Sequence, residues 1–257
     1  MADKPGTDVV PFEKYAVAQF DQESLSEALT ANLGGGDVNL DRDLDRVKIP
    51  GSGGTTWTVP TLEGEEDTKT LSGIIVAWKN VRAYYATSYE ESPNSPPTCA
   101  SDDAVTGTGF PYHKGSDAPE GDPITLPCAQ CPNSQWGSTD KGDSNAQACQ
   151  QQRLLFLLTE GDMLPIIVKL PPTSIKGCAD YFLRLTRAGK PFFAVQTSIT
   201  LEKQAGPPAF SIAKFAKTAD LAPDEITVVR QYKNALTPAV QRVSGVEAAE
   251  PPATAAA

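Results

Sequence analysis

The sequence predicts a mainly β protein with a few helices, an α+β architecture, and three observations carry that prediction. A long β-branched and aromatic run opens at Gly73, two apolar runs at 153–158 and 164–170 flank Glu160-Gly161-Asp162, and residues 192–201 alternate apolar with polar side chains. Such side chains suit a pleated surface, and a period of two marks a half-buried strand.

Taken in order, Leu25, Ala28, Leu29 and Leu33 fall at helical spacing before Gly34-Gly35-Gly36, predicting a short amphipathic helix that the glycines end. An acidic, glycine-rich stretch follows, with extended pieces at 47–49 and 55–59 bounded by Pro or Gly, read as edge strands or ordered arms. From Gly73, Ile74, Ile75 and Val76 lead into a strand whose second half alternates: Val81, Ala83 and Tyr85 on a core side, Trp78, Asn80, Arg82 and Tyr84 on a polar-aromatic side. Residues 90–150 are dense in Pro, Gly, Ser, Asp and Asn, too long for an ordinary loop and too poor in apolar residues for a core.

The runs at 153–158 and 164–170 read as a hairpin. Pro171-Pro172-Thr173 then starts a helix, with Thr173 or Ser174 as N-cap and Ile175, Ala179, Phe182, Leu183 and Leu185 as its apolar stripe. The alternating strand at 192–201, a turn at Gly206-Pro207-Pro208, a last strand at 209–217 and a helix at 223–236 complete the pattern, and the Ala/Pro/Glu-rich end after Ser244 is expected to be disordered. From Gly73 the order is strand, insertion, strand, strand, helix, strand, strand. That is the element order of an OB-fold, a five-stranded Greek-key barrel, here with a long insertion between its first and second strands. The expected organisation is an acidic N-terminal helix and arm (1–45), the barrel domain (46–218) with the insertion at 90–150, a C-terminal helix (219–243) and a tail (244–257).

The 257 residues are 40% hydrophobic, ordinary for a globular chain. No window nears the roughly 18 uninterrupted apolar residues of a membrane span, and the opening residues lack a secretory signal pattern, so the expected location is the cytoplasm, with no membrane partner. The net charge of −10 is unevenly spread: residues 151–218 hold nine Lys/Arg against four Asp/Glu, while each flanking region is acidic. Binding to phosphates depends on local potential, so the acidic total does not exclude a nucleic acid.

Four of the five cysteines lie between positions 99 and 149. Cys128-Ala129-Gln130-Cys131 is a CxxC knuckle, and Cys99 and Cys149 complete a four-sulfur set suited to structural Zn2+. The insertion cannot offset its ordering entropy with its own apolar side chains, whereas zinc contributes folding free energy directly. The alternatives are buried cysteines acting as small hydrophobes, a redox pair, or His113 in place of one cysteine. Four sulfurs leave no open position for a catalytic water, and His113-Lys114-Gly115 breaks the HxE half of a zinc-deaminase signature. No P-loop, dinucleotide-binding glycine pattern or nucleophile setting is present, so the expectation is a protein that is not an enzyme.

Single strands are held by a basic groove and by rings on which bases stack. The candidate side chains are Trp57, Trp78, Arg82, Tyr84, Trp136, Arg153, Lys169, Phe192, Lys203 and Lys214. For each, the competing role is ordinary: aromatics in strands as core, lysines as solvated faces, Trp136 as a cover for the cysteine site.

The strings Gly54-Thr-Thr-Trp-Thr-Val-Pro, Cys131-Pro-Asn-Ser-Gln-Trp-Gly-Ser, Ala148-Cys149 through Arg153-Leu-Leu-Phe, and Leu170-Pro-Pro-Thr-Ser-Ile-Lys resemble a family encoded by tailed bacteriophages and integrated mobile elements, over roughly residues 45–215. More distantly, a zinc-containing acidic OB-fold is similar to the helix-destabilising, single-stranded DNA-binding proteins of tailed phages. That resemblance implies sequence-tolerant coating of single strands during DNA replication or recombination in the bacterial host cytoplasm, with an acidic tail recruiting partner proteins. The chain departs from it after Gly245, where Glu247 and Glu250 are the only acidic residues. The alternative is a phage protein-interaction factor, an inhibitor or adaptor whose acidic surface docks a host protein.

Overall fold

The computed structural model describes residues 9–19, 22–33, 44–86, 96–110, 122–139, 145–206 and 209–245. His113, Gly34–Gly36 and the tail beyond 245 lie outside them. In chain order the elements are α1 (Gln22–Leu33), β1 (Arg46–Lys48), β2 (Trp57–Thr61), β3 (Gly64–Thr68), β4 (Thr70–Tyr84), β5 (Cys99–Ser101), β6 (Thr106–Gly109), β7 (Ile124–Pro127), β8 (Gln150–Leu158), β9 (Ile166–Leu170), α2 (Pro172–Arg187), β10 (Val195–Gln204), β11 (Phe210–Asp220) and α3 (Pro223–Arg242). The protein is mixed α/β and mainly β, with a large mixed sheet. It divides into two compact units interleaved in sequence, residues 1–78 with 153–240 and residues 79–152 with 241–257.

In the first unit, β8 is hydrogen-bonded between β9 and β4, β4 also pairs antiparallel with β10, and β10 pairs with β11 along its length. The three-residue β1 adds to β9 in parallel, Val47 beside Val168. Gly73 is where β4 meets β8 most closely: a Cβ there would stand 2.4 Å from the Leu158 carbonyl oxygen. One side of these strands supplies Leu71, Ile75, Leu155, Val168 and Ile199 to a core shared with Cys178 of α2. The other side is buried too, since Ile74, Val76, Leu154, Phe156 and Ile167 have no exposed surface. Strands covered on both faces read as continuous apolar runs, which accounts for Ile74-Ile75-Val76 and 154–158.

Two further segments are tied to the turn between β8 and β9. In α3, Val229, Tyr232, Leu236 and Val240 are buried along one stripe, and the Tyr232 hydroxyl donates to the Met163 carbonyl at 2.6 Å. Near the N-terminus Tyr15 and Val17 are buried, while the Gly161 amide donates to the Lys14 carbonyl at 3.0 Å.

Several expectations change. α2 begins at Pro172 with no side-chain cap; the Ser174 hydroxyl instead accepts from the Ala213 amide at 3.0 Å and fastens the helix to β11. β3 was not legible because Gly-Glu-Glu-Asp-Thr is wholly polar, yet it pairs with all of β2. α3 runs past Leu236 to Arg242 and carries Pro238 inside it. Phe192 and Ala194 form a short 3-10 turn before β10 rather than its first residues.

In the second unit, β5 pairs with the far end of β4, β6 with β5 and β7 with β6, all antiparallel. The insertion, for which the sequence indicated no strands, therefore holds three short ones. The Cys, Ala, Ser, Thr and Gly composition of β5 and β6 hides them from any hydrophobic pattern, and Ile124-Thr-Leu-Pro of β7 is too short to show one.

Trp57 corrects the stacking expectation. Its indole is fully buried, packs in the core cluster of the first unit and donates from Nε1 to the Ile199 carbonyl at 3.2 Å. We expect Trp57→Ala to cost about 3–5 kcal/mol in urea unfolding, as for other buried large-to-small changes. Trp57→Phe should keep the fold, losing about 1 kcal/mol with the indole hydrogen bond. If Trp57→Phe lowers single-strand affinity without loss of stability, the core assignment is wrong.

Candidate metal centre and aromatic surface

The CxxC segment folds as two successive 3-10 turns, Cys128–Gln130 and Pro132–Ser134, with Pro132 pre-set for the start of the second. The Cys131 amide returns to the Cys128 carbonyl at 3.2 Å. The Ser134 hydroxyl donates to the carbonyls of Cys128 and Cys131, and the Gln135 side-chain amide to those of Ala129 and Cys131. The knuckle is then fixed to its surroundings: the Cys128 amide donates to Val105 and the Cys149 amide to Asn133, both at 2.7 Å. Backbone bonds thus bring three parts of the insertion to one place.

Cys99, Cys128, Cys131 and Cys149 are all buried free thiols lining one small cavity, with Arg82, Ser101, Gly107 and Leu126 among its other walls. Gly107 is constrained by the sulfurs, because a Cβ there would lie 3.2 Å from Cys99 Sγ and 3.4 Å from Cys128 Sγ. Burial raises the Cys99 thiol above its ordinary value, with the neighbouring Cys131 and Cys128 adding to it. Burial pushes Cys149 up to about 11 despite the opposing Arg82 charge. Among the described residues no group of three or more His, Cys, Asp or Glu side chains is arranged to hold a metal ion. The four sulfurs are neighbours around one cavity.

The turn carrying β5 into β6 is held by Asp103, whose carboxylate accepts from the amides of Val105 (2.7 Å) and Thr106 (2.8 Å) and from the Ser101 hydroxyl (3.0 Å). The Thr106 amide is the main cause that holds this carboxyl below its ordinary value. Ala104 beside it has φ +58°, a left-handed conformation.

Of the candidate nucleic-acid residues, seven lie in the first unit and three, Arg82, Tyr84 and Trp136, in the second. Trp78, Arg153 and Phe192 are brought together. The Arg153 guanidinium lies 4.4 Å from the Trp78 ring centre, Trp78 contacts Phe182 at 6.0 Å, and Phe182 contacts Phe192 at 5.4 Å. Trp78 is 39% exposed, while Arg153 is only 7% exposed and hydrogen-bonds to Cys178, so Arg153 supports the ring instead of reaching solvent. Lys203 and Lys214 are exposed on the β10–β11 ribbon, Lys214 lying 3.4 Å from Glu202, and Lys169 is half-buried on β9 beside Lys48 of β1. Trp136 is 74% exposed and so does not serve as a buried cover for the thiols. Arg82 is corrected: its guanidinium donates to the Cys149 carbonyl (3.3 Å) and the Gln151 side chain (3.1 Å), which commits it to the thiol cavity. Tyr84 is half-buried, opposite Cys99 in the β4–β5 ladder.

The aromatic row continues along α2 into a groove that the sequence did not single out. Phe182 meets Tyr181, and Tyr181 stacks on Phe215 with centroids 5.8 Å apart, while Arg184, Lys190 and Lys217 line the same groove. Asp220 bridges the two lysines, at 2.6 Å from Lys190 and 2.7 Å from Lys217, and they hold its carboxyl low. The signal in sequence was the i,i+3 pair Tyr181 and Arg184 on the helix face turned to β11.

No protein-family model, curated protein or solved structure matches this chain.

Asp103→Ala should destabilise the β5–β6 turn by about 1 kcal/mol at neutral pH. Because the folded carboxyl titrates below the unfolded one, this stability is present above the ordinary Asp range and is lost as pH falls through the depressed value. Ala104→Gly should act in the opposite direction, by about 0.5–1 kcal/mol, by relieving the positive φ. Amide hydrogen exchange of β5 and β6 reads both. Equal protection in Asp103→Ala and the parent at pH 7 would refute the first.

Proposed function

We propose that this chain is a non-catalytic single-stranded DNA-binding protein whose first unit is an OB-like barrel and whose second is ordered by structural zinc on Cys99, Cys128, Cys131 and Cys149. The observation that carries the reading is the pairing of the first unit: β4 joined to both β8 and β10, β8 to β9, β10 to β11, with α2 linking β9 to β10. These are the neighbours and the helix position of the five-stranded Greek-key barrel used for oligonucleotides. The departure is at closure, where β1 takes the free edge of β9 and, among the described residues, β11 pairs with β10 alone.

Bases would stack along Trp78, Phe182, Phe192 and Phe215, and phosphates would follow Arg184, Lys190 and Lys217, in the one basic segment of an acidic chain. The family resemblance favours work in phage or mobile-element DNA replication or recombination. Among the described residues no helix is long and apolar enough to cross a membrane.

For zinc, the donor chemistry fits, since four soft sulfurs surround one cavity and a glycine leaves room for two of them. Binding requires the thiols to ionise and close on the ion, so folding of the second unit and metal uptake are coupled. Chelation should expose residues 96–139 to protease while the first unit stays resistant; unchanged cleavage would remove zinc from the reading.

The decisive experiment is fluorescence anisotropy of a mixed-sequence single-stranded oligonucleotide at two salt concentrations. Binding that weakens with salt and resists competition by duplex is expected. Trp78→Ala should weaken it by about 5- to 100-fold, the range of one lost stacking ring. Asp220→Asn should strengthen it by releasing Lys190 and Lys217. No binding at micromolar protein would sink the proposal and leave the protein-interaction factor as the better reading.

A further inference from the structure

The thiol cavity has one cationic wall. Arg82 sends Nη1 to the Cys149 carbonyl and Nη2 to Gln151, while its Nε is buried without a hydrogen-bond partner. Most buried N–H groups are paired, so an unpaired one on a side chain that lines the thiol cavity calls for an acceptor. Thiols are weak acceptors, whereas thiolates are anionic and accept strongly. A divalent cation on four thiolates carries a net charge of minus two, which is expensive inside a protein unless a positive charge or N–H donors face it. Arg82 is the only Lys or Arg among the residues lining this cavity.

We propose that Arg82 is the positioning residue of the zinc centre, supplying the compensating charge and the Nε–H donor to its sulfur cage. This rests on the zinc reading and is independent of DNA binding. The two Nη bonds fix the guanidinium plane, and through the Cys149 carbonyl they also fix the backbone of the last ligand. Outer partners of this kind set metal retention, because they orient the first ligands and stabilise their ionised form.

The test uses the full chain loaded with zinc, with transfer to a chromophoric chelator followed in time and cobalt substitution as a spectroscopic check. Arg82→Gln should release zinc about tenfold faster or more, the scale of a lost outer-shell partner. Arg82→Lys, which keeps the charge, should restore most of the retention. Gln151→Glu is the second variant: it leaves Arg82 in place and charged but sets a carboxylate against the guanidinium, offsetting the positive charge the cage would feel, and should also speed release. Equal release from all four proteins overturns the proposal while leaving the zinc centre standing. Release as fast from Arg82→Lys as from Arg82→Gln, or no acceleration in Gln151→Glu, overturns charge compensation. A parent protein that takes up neither zinc nor cobalt, with no sulfur-to-cobalt charge-transfer band, removes the zinc reading itself and the proposal with it.

Discussion

The burial of both faces of β4 and β8 within the first unit is the constraint from which its remaining features follow. Ile74, Ile75 and Val76 are consecutive and fully buried, as are 154–158, so apolar cover is required on each side. α2 provides part of it through Cys178, and the stripe of α3 and the Tyr15–Val17 segment are fastened at the β8–β9 turn. On these central strands Trp78 of β4, 39% exposed, remains accessible. Elsewhere in this unit Tyr181, Phe215 and the three cations Arg184, Lys190 and Lys217 line a groove, with Phe182, Phe192 and Phe215 partly buried against the core.

The second unit answers a different problem. Its strands are three or four residues long apart from the shared β4 and β8; β5 and β6 carry Cys, Ala, Ser, Thr and Gly, and β7 adds only Ile124 and Leu126. Order comes from polar closure: Asp103 over its turn, Ser134 and Gln135 over the knuckle, and the Ser244 hydroxyl and Gly245 amide on the Asp102 carboxylate. These bonds are each worth about 1 kcal/mol net, small against an ordering cost of about 1–2 kcal/mol per residue. Under the proposed zinc reading, metal binding by the four thiols that share one cavity would add folding free energy to these bonds.

Where a segment's own side chains decide its environment, the sequence was legible. The strand at Gly73, the hairpin of β8 and β9, the helix after Pro171 and the alternation of β10 all rest on apolar periodicity, and Cys99, Cys128, Cys131 and Cys149 rest on spacing. The illegible parts depend on partners far along the chain. Trp57 read as an exposed ring because its strand is short and polar, yet its indole reaches a carbonyl 142 residues away. Arg82 read as a phosphate contact from strand alternation, which cannot know that Cys149 and Gln151 stand opposite. Trp78 pairs with Arg153 for the same reason: two strands 75 positions apart in number meet there.

Asp220 shows how the acidic balance and a nucleic-acid surface can coexist. It occupies both Lys190 and Lys217, so one carboxylate offsets part of the positive charge that these lysines and Arg184 give the groove. All three side chains are about 40% exposed, which makes each pair weak in water and readily exchanged. A phosphate chain that displaces one carboxylate gains two lysines at once and adds Arg184, whereas a single anion must compete for the same pair without the neighbouring rings. Under the proposed single-strand reading, cations and rings side by side would favour a polymer carrying both charge and stacking surfaces over a small anion, with no requirement that the whole chain be basic.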